Sequence, residues 1–269
     1  MLYKPRAICL HANSDDKNLT NRLITPQTVG HRIKPFMSLD VERTGELSSA
    51  DEHVMSSDSG TAIITFLLSG EADFRDSTHK QASLKKSDLL WILAGSGVEY
   101  ALKPKTQDCI SVKLRVALSP ALECAAAQSS YLDANLVERD GPAQVLLGHY
   151  GHAQSGFALP ALINYLVVRL SAGQEWVYQP PVNHRIAWIA VLSGKIKTSD
   201  RWVSPDEIAV YEDSNKAISF LAEEESVFLL GSSQEYTHDF AAEQYPASTL
   251  GHVFDKGRHD ISAPPLARM

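Results

Sequence analysis

The stretch Thr61–Gly70, TAIITFLLSG, lays over Arg185–Gly194, RIAWIAVLSG, with Leu68 on Leu192, Ser69 on Ser193 and Gly70 on Gly194. A self-similarity 124 positions apart in a chain of 269 residues makes room for two copies of one unit. Asp88 in SDLLWI falls on Asp206 in PDEIAV if the second copy is six residues shorter in the intervening turn. Each copy closes on a further apolar strand, Cys109–Leu118 and Ser226–Gly231. The repeat therefore predicts two related β units joined by the stretch from Ser119 to about Phe157; two unrelated sandwich domains are the alternative.

Other apolar segments have strand length too: Leu89–Leu93, Ile110–Val116, Leu162–Leu170, Ile208–Tyr211 and Val227–Leu230. Many carry β-branched or aromatic residues, and Gly, Asp, Ser or Pro fills most gaps, as in an antiparallel sandwich or barrel. One helix is predicted over Pro120–Gln128, with Ser119 as N-cap, Pro120 at the first helical position and three alanines near its end. The expected organisation is all-β, with an N-terminal unit over 1–118, a helical linker over 119–142 and a C-terminal unit over 143–254. A tail over 255–269, containing Pro264 and Pro265, reads as extended or disordered.

Composition narrows the function classes. With 44% hydrophobic and 21% charged residues the chain can bury a sizeable core. Lys and Arg number 25 against 32 Asp and Glu, a formal charge of −7, which argues against phosphate-dominated binding to nucleic acid or an anionic membrane. The longest apolar run, Ile186–Leu192, has seven residues where a membrane span needs about 20. Arg6 interrupts the apolar start, so no secretion signal is expected. Cys9, Cys109 and Cys124 lack CxxC spacing and cannot all pair within the chain, so a reduced, cytoplasmic protein is expected.

Three motifs carry a resemblance: PFMSLD at Pro35–Asp40, GTAIITFLLSGEADFRDS at Gly60–Ser77 and DLLWILAGSG at Asp88–Gly97. On these the first unit resembles the pirin family from about residue 31 to 118, and VLLGHYGHAQSG and INYLVVRLSAG look like the family's second half. The family's closing Gly-Pro-Phe-Val-Met-Asn segment has no counterpart in SSQEYTHDFAAEQYP. The resemblance implies a bicupin, two antiparallel jelly-roll barrels with a short helical connection. It also implies one metal, usually iron, held in the N-terminal barrel by three histidines and a glutamate. Some pirins are similar to quercetin dioxygenases, and others are described as transcriptional cofactors.

By the same resemblance the four ligand positions here hold Ser56, Asp58, Tyr100 and Leu102. One carboxylate thus remains beside a hydroxyl, a phenol and an alkyl group, where a catalytic ion needs several imidazole or carboxylate donors. No cofactor is expected. His53 lies at odd offsets from Ser56 and Asp58 and reads as a solvated loop histidine; Glu99, next to Tyr100, points outward by strand alternation. In the second unit the internal alignment puts Pro180, Val182, Ile218 and Phe220 at the equivalent positions, and leaves Tyr178 and His184 as pocket candidates.

Weaker signals have bland readings. GHYGH at Gly148–His152 reads as a strand end and turn, AGSG at Ala94–Gly97 precedes a strand and lacks the helix of a phosphate cradle, and Glu223–Glu225 reads as a solvated turn. Lys80, Lys85, Lys86, Lys103 and Lys105 could form a basic face, though Asp73, Asp76 and Asp88 are interleaved. The sequence thus points to a pirin-like bicupin acting as a non-catalytic, small-molecule- or protein-binding regulatory module, with its pocket around Ser56, Asp58, Thr65, Tyr100 and Leu102. A quercetin 2,3-dioxygenase-type enzyme with another metal set is the alternative, and a transcriptional cofactor rests on the family alone.

Overall fold

The computed structural model describes residues 5–13, 20–44, 55–157 and 162–236. Strand β1 (Ile8–Asn13) comes first, followed by β2 (Thr20–Ile24) and β3 (Phe36–Arg43). The first repeat supplies β4 (Ser56–Asp58), β5 (Thr61–Ser69), β6 (Ala72–Asp76), β7 (Gln81–Leu84), β8 (Leu89–Leu93), β9 (Val98–Pro104) and β10 (Ile110–Ala117). A one-turn helix α1 (Pro120–Glu123) and β11 (Gln128–Leu132) lead to the short strands β12 (Arg139–Asp140), β13 (Ala143–Leu147), β14 (His149–Tyr150) and β15 (Ala153–Gln154). The second repeat gives β16 (Ile163–Leu170), β17 (Glu175–Tyr178), β18 (Ile186–Ser193), β19 (Ile196–Thr198) and β20 (Arg201–Val203). It ends with β21 (Glu207–Tyr211), β22 (Ile218–Ala222) and β23 (Ser226–Ser233).

Each unit is a pair of facing antiparallel sheets. The first pairs β11-β8-β5-β10-β3-β2 with β4-β9-β6-β7; the second pairs β1-β21-β18-β23-β16-β13-β12 with β17-β22-β19-β20. In β5, Ile63 and Leu67 point into the first unit, whereas Ala62, Ile64 and Phe66 join a core shared with the second. In β18, Ala187, Ile189 and Val191 face the second unit's interior while Trp188 and Ala190 join the shared core. Both strands are therefore buried on two faces, which is why they read as continuous apolar runs rather than alternating ones. Phe36 meets Trp188 edge-on across the junction, ring centroids 5.3 Å apart.

The structure keeps the repeat and shifts one detail of it. Gly70 and Gly194 both have φ +74°, a left-handed conformation, and a Cβ on either would run into the chain at the start of the closing strand, Cys109 or Ser226. The N–H of Ser87 bonds Leu67 O and that of Asp206 bonds Val191 O, so Asp206 is the counterpart of Ser87, and Asp88 pairs off with Glu207 instead. Asp88 Oδ2 accepts from Lys85 N and Glu207 Oε2 from Ser204 N, both at 2.7 Å, the same turn-closing role.

The linker and the first strand also differ from expectation. The helix stops at Glu123 because Ala125 O is taken by Ser96 N at 2.8 Å, tying the alanine run to the Ala94–Gly97 turn. Residues 128–132, expected in helical linker, instead form β11 on the edge of β8. Strand β1, expected in the N-terminal unit, pairs with β21 of the second sheet. It carries Arg6 along, whose buried guanidinium donates to the carbonyls of Glu212 and Arg185. His53, the tail 255–269 and most of the SSQEYTHDFAAEQYP segment lie outside the described residues. Among the described residues no helix is long and apolar enough to cross a membrane.

The shared core predicts that Phe36→Ala costs about 3–5 kcal/mol. In urea titrations followed by circular dichroism and tryptophan fluorescence, both probes should shift together in one transition. A variant that melts in two separated steps would show that the two units fold independently.

Candidate functional site

Alternation along β10 turns Ser111, Lys113 and Arg115 into the first unit, and the paired β3 turns Ser38, Asp40 and Glu42 the same way, opposite Arg115, Lys113 and Ser111 respectively. Lys113 is also the partner of Thr65 on β5. From the facing sheet come Asp58 on β4 and Tyr100 on β9, both nearly inaccessible.

These groups form one connected network. Arg115 donates from Nε to Asp58 Oδ1 at 2.9 Å and from Nη2 to Asp58 Oδ2 at 3.2 Å, a two-pronged grip on one carboxylate. Its Nη1 donates to Asp40 Oδ2 at 2.8 Å and to Ser38 Oγ at 3.4 Å. The Tyr100 hydroxyl donates to Asp58 Oδ2 at 2.9 Å. Lys113 Nζ donates to Glu42 Oε1 at 3.0 Å and lies 5.6 Å from the centre of the Tyr100 ring. At the rim Arg22 Nε lies 3.6 Å from Asp40 Oδ1, so three carboxylates face three cations.

Burial and pairing pull on these groups in opposite senses. Burial raises the Asp40 pKa above the ordinary carboxylate value, against the pull of Arg115 and Lys113. Burial works the same way on Glu42, but there the charges of Lys113 and Arg115 and the hydrogen bonds from Lys113 and Ser111 together outweigh it and the pKa ends lowered. Burial raises the Tyr100 phenol, which keeps its proton for Asp58. Burial should lower Lys113 and Arg115, yet the acidic groups around them carry both upward, so the two cations persist at any physiological pH.

Of the positions singled out by sequence, Asp58 and Tyr100 are joined by a hydrogen bond, Ser56 is half-buried opposite Tyr100, and Thr65 lies beside Lys113. Leu102 is half-buried against the unit's apolar interior, and Glu99 is exposed. The sequence reading missed Asp40, Glu42, Lys113 and Arg115. Their signal was present: ISVKLRVA and FMSLDVER each put charges two apart inside otherwise apolar strands, the mark of one polar strip facing another.

Strand pairing fixes the equivalent place in the second unit. Thr198 pairs with Phe220, as Phe74 does with Leu102, so Phe220 and Ile218 are the counterparts of Leu102 and Tyr100, as aligned. Tyr178 pairs with Ile218 as Ser56 does with Tyr100; Ser56 and Asp58 thus correspond to Tyr178 and Pro180, two residues earlier than Pro180 and Val182, and Val182 is solvent-exposed. Ser232 takes the place of Arg115 and Asn164 that of Ser38. The Tyr178 hydroxyl lies 2.7 Å from Ser232 Oγ, and His184 Nδ1 lies 2.9 Å from the same oxygen. Asn164 Nδ2 donates to the Tyr178 oxygen at 3.2 Å, completing a neutral cluster with no carboxylate in it. Burial, with a smaller contribution from His149, lowers His184 to about 4.

Among the described residues no three His, Cys, Asp or Glu side chains are grouped to hold a metal ion. Residues 18–115 match the family model for Pirin. The N-terminal unit is a pirin domain. No curated protein matches the chain by sequence. Among solved structures it is similar to a quercetin 2,3-dioxygenase from Acinetobacter baumannii, with 19% identity, TM-score 0.77, and 88% of this chain and 90% of that one covered. It is also similar to GK1651 from Geobacillus kaustophilus (17% identity, TM-score 0.74, covering 87% and 98%). The bacterial pirin YhhW from Escherichia coli, solved in complex with nickel(II), gives 15% identity and TM-score 0.62 over 86% and 96%. At these identities the likeness establishes the pirin-like bicupin fold.

Two outcomes follow. Arg115→Ala leaves Asp58 and Asp40 buried without their shared partner and should cost about 3 kcal/mol, with Arg115→Lys recovering only part because an ammonium cannot form the two-pronged grip; urea denaturation measures both. For His184, the unfolded chain takes up its proton near pH 6.5 and the folded chain only near 4. Stability attributable to it is therefore full above pH 6.5 and falls as pH drops through that window. The acid-side slope of the urea midpoint should be shallower in His184→Gln.

Proposed function

We propose that this chain is a pirin-type bicupin in which an internal ion-pair network stands in place of the family's metal centre, and that it works as a non-catalytic binding module for a small molecule or a protein. The observation that carries the reading is the grip of Arg115 on Asp58. By resemblance Asp58 and Tyr100 stand at two of the ligand positions, so the guanidinium sits where the ion would be coordinated.

This donor set does not fit a transition metal. Leu102 has no lone pair, Ser56 offers a weakly donating hydroxyl, and both oxygens of Asp58 are already bonded to Arg115 or Tyr100. A divalent ion brought there would meet the fixed charges of Arg115 and Lys113 in a poorly solvated interior. The reading includes a cytoplasmic setting, in keeping with Cys9, Cys109 and Cys124, which are all free thiols.

The likeness to a quercetin 2,3-dioxygenase favours a second reading, an oxygenase with another metal set, and one experiment separates the two. Protein purified without a polyhistidine tag should hold less than about a tenth of an equivalent of iron, nickel, copper or zinc. It should not consume quercetin above the free-metal blank when each metal is added. A stoichiometric, chelator-resistant metal or quercetin turnover would establish the oxygenase reading. The role of Arg115 has its own check: Ser56→His, Asp58→His, Tyr100→His and Leu102→Glu together should bind nickel weakly, and adding Arg115→Met should tighten binding by at least about tenfold. Equal nickel affinity in both variants would mean that Arg115 does not fill the ion's place.

A further inference from the structure

The first unit is stitched along one seam only loosely. Strands β7 and β11 are the terminal strands of its two sheets, so each has one side without a ladder partner among the described residues. Between them runs an open groove of about 300 Å³, with Phe74, Leu90 and Ala82 as an apolar floor and Lys80, Gln81 and Ser130 among its polar walls. Among the described residues, Ser129 Oγ donates to Asp76 across the seam, and Asp88, accepting from both Lys85 N and Tyr131 OH, ties its end. The groove lies on the β7–β11 side of the unit, away from the β4–β3 side that holds Asp58 and Asp40.

Exposed lysines stand around it, in a chain whose net charge is −7. The interleaved carboxylates Asp76 and Asp88 are turned inward and buried, leaving the lysines as the charges exposed beside them. Asp76 accepts from Thr78 N, Thr78 Oγ1 and Lys80 N at 2.7–3.0 Å, besides Ser129. Asp88 accepts from Lys85 N, Tyr131 OH and Ala134 N at 2.7–2.8 Å. Asp73 pairs with Lys105 at 3.5 Å. Lys80, Lys85 and Lys86 are exposed and form no ion pair among the described residues.

We propose that the β7–β11 seam docks an extended, acidic segment of a partner protein. The segment lies as an added strand on a free edge, turns small apolar side chains onto Ala82, beneath which Phe74 and Leu90 are buried, and sets its carboxylates against Lys80, Lys85 and Lys86. Free strand edges recruit extended peptides through main-chain hydrogen bonds, and alternation then sends successive side chains to the floor and to the rim. An open, shallow groove with polar edges suits such a strand better than an enclosed small molecule. The proposal deepens the reading of the chain as a binding module without using the Asp58 site: a metal found there would overturn the ion-pair reading of that site and leave this one standing.

The test is fluorescence anisotropy of a labelled ten-residue peptide alternating glutamate with valine, titrated with the full chain. Saturable binding is expected, weakening by at least about tenfold as salt rises from about 0.05 to 0.3 M. The same peptide with two central prolines should bind at least about tenfold more weakly, since it cannot form the ladder. Combined Lys80→Glu, Lys85→Glu and Lys86→Glu should abolish binding with an unchanged melting temperature. Ser130→Arg adds positive charge but obstructs the groove, so it should weaken binding. Tighter binding by Ser130→Arg, equal binding of the proline peptide, full competition by citrate, or no binding of the alternating peptide would each overturn the proposal.

Discussion

A strand with apolar side chains on both faces has no stable position except between two layers, and β5 and β18 are both of this kind. Each must therefore find a sheet on its inner side and another unit on its outer side. The result is a molecule whose largest core lies between its halves, from Phe36 and Phe66 in one to Tyr165 and Trp188 in the other. In the second sheet β21 offers a free edge, and β1 completes it.

Within the first unit the shared layer leaves β10 and β3 with their other faces turned inward, and those faces carry Lys113, Arg115, Asp40 and Glu42. Removing ions from water costs more than one ion pair returns, so such a strip is tolerated only as a connected set with its lone pairs and protons satisfied. Most of the network meets that condition; Asp40 Oδ1 has no hydrogen-bond donor among the described residues and faces only the charge of Arg22 at 3.6 Å. Arg115 suits its place because its planar fork serves Asp58 on the opposite sheet and Asp40 on the adjacent strand at once. Lys113, with one point charge, serves Glu42 and lies over the Tyr100 ring. The network thus clamps the two sheets together.

What the sequence made legible follows from which signals are local. The repeat, the glycine turns at Gly70 and Gly194, and the register of Ile218 and Phe220 were readable because each rests on a short segment and its spacing. The meeting of Tyr178 with His184 was half-readable; their common partner, Ser232, lies 48 positions after His184 and carries no motif. The helix over Pro120–Gln128 forms only its first turn, Pro120–Glu123, because local propensity lost to a tertiary demand beyond it: Gln128–Leu132 had an open edge on β8 to pair with. Asp206 was matched with Asp88 on residue type, whereas the turn uses Glu207 in that role, since either carboxylate can close it. The ionic strip escaped notice because Asp40 and Glu42 stand more than 70 positions from Lys113 and Arg115, and only pairing of β3 with β10 makes them neighbours.

The two units answer the same structural demand with different chemistry. In both, this depth of the unit is polar on the inward face of the closing strand, at Arg115 in one and Ser232 in the other. A fixed guanidinium in the first requires carboxylates around it and leaves their lone pairs spent. A hydroxyl in the second requires only neutral partners, and it finds Tyr178, Asn164 and an imidazole kept neutral by burial. The first unit is therefore held by interactions that a bound ion would have to break. The second is held by hydrogen bonds between neutral groups, which do not carry the cost of removing ions from water.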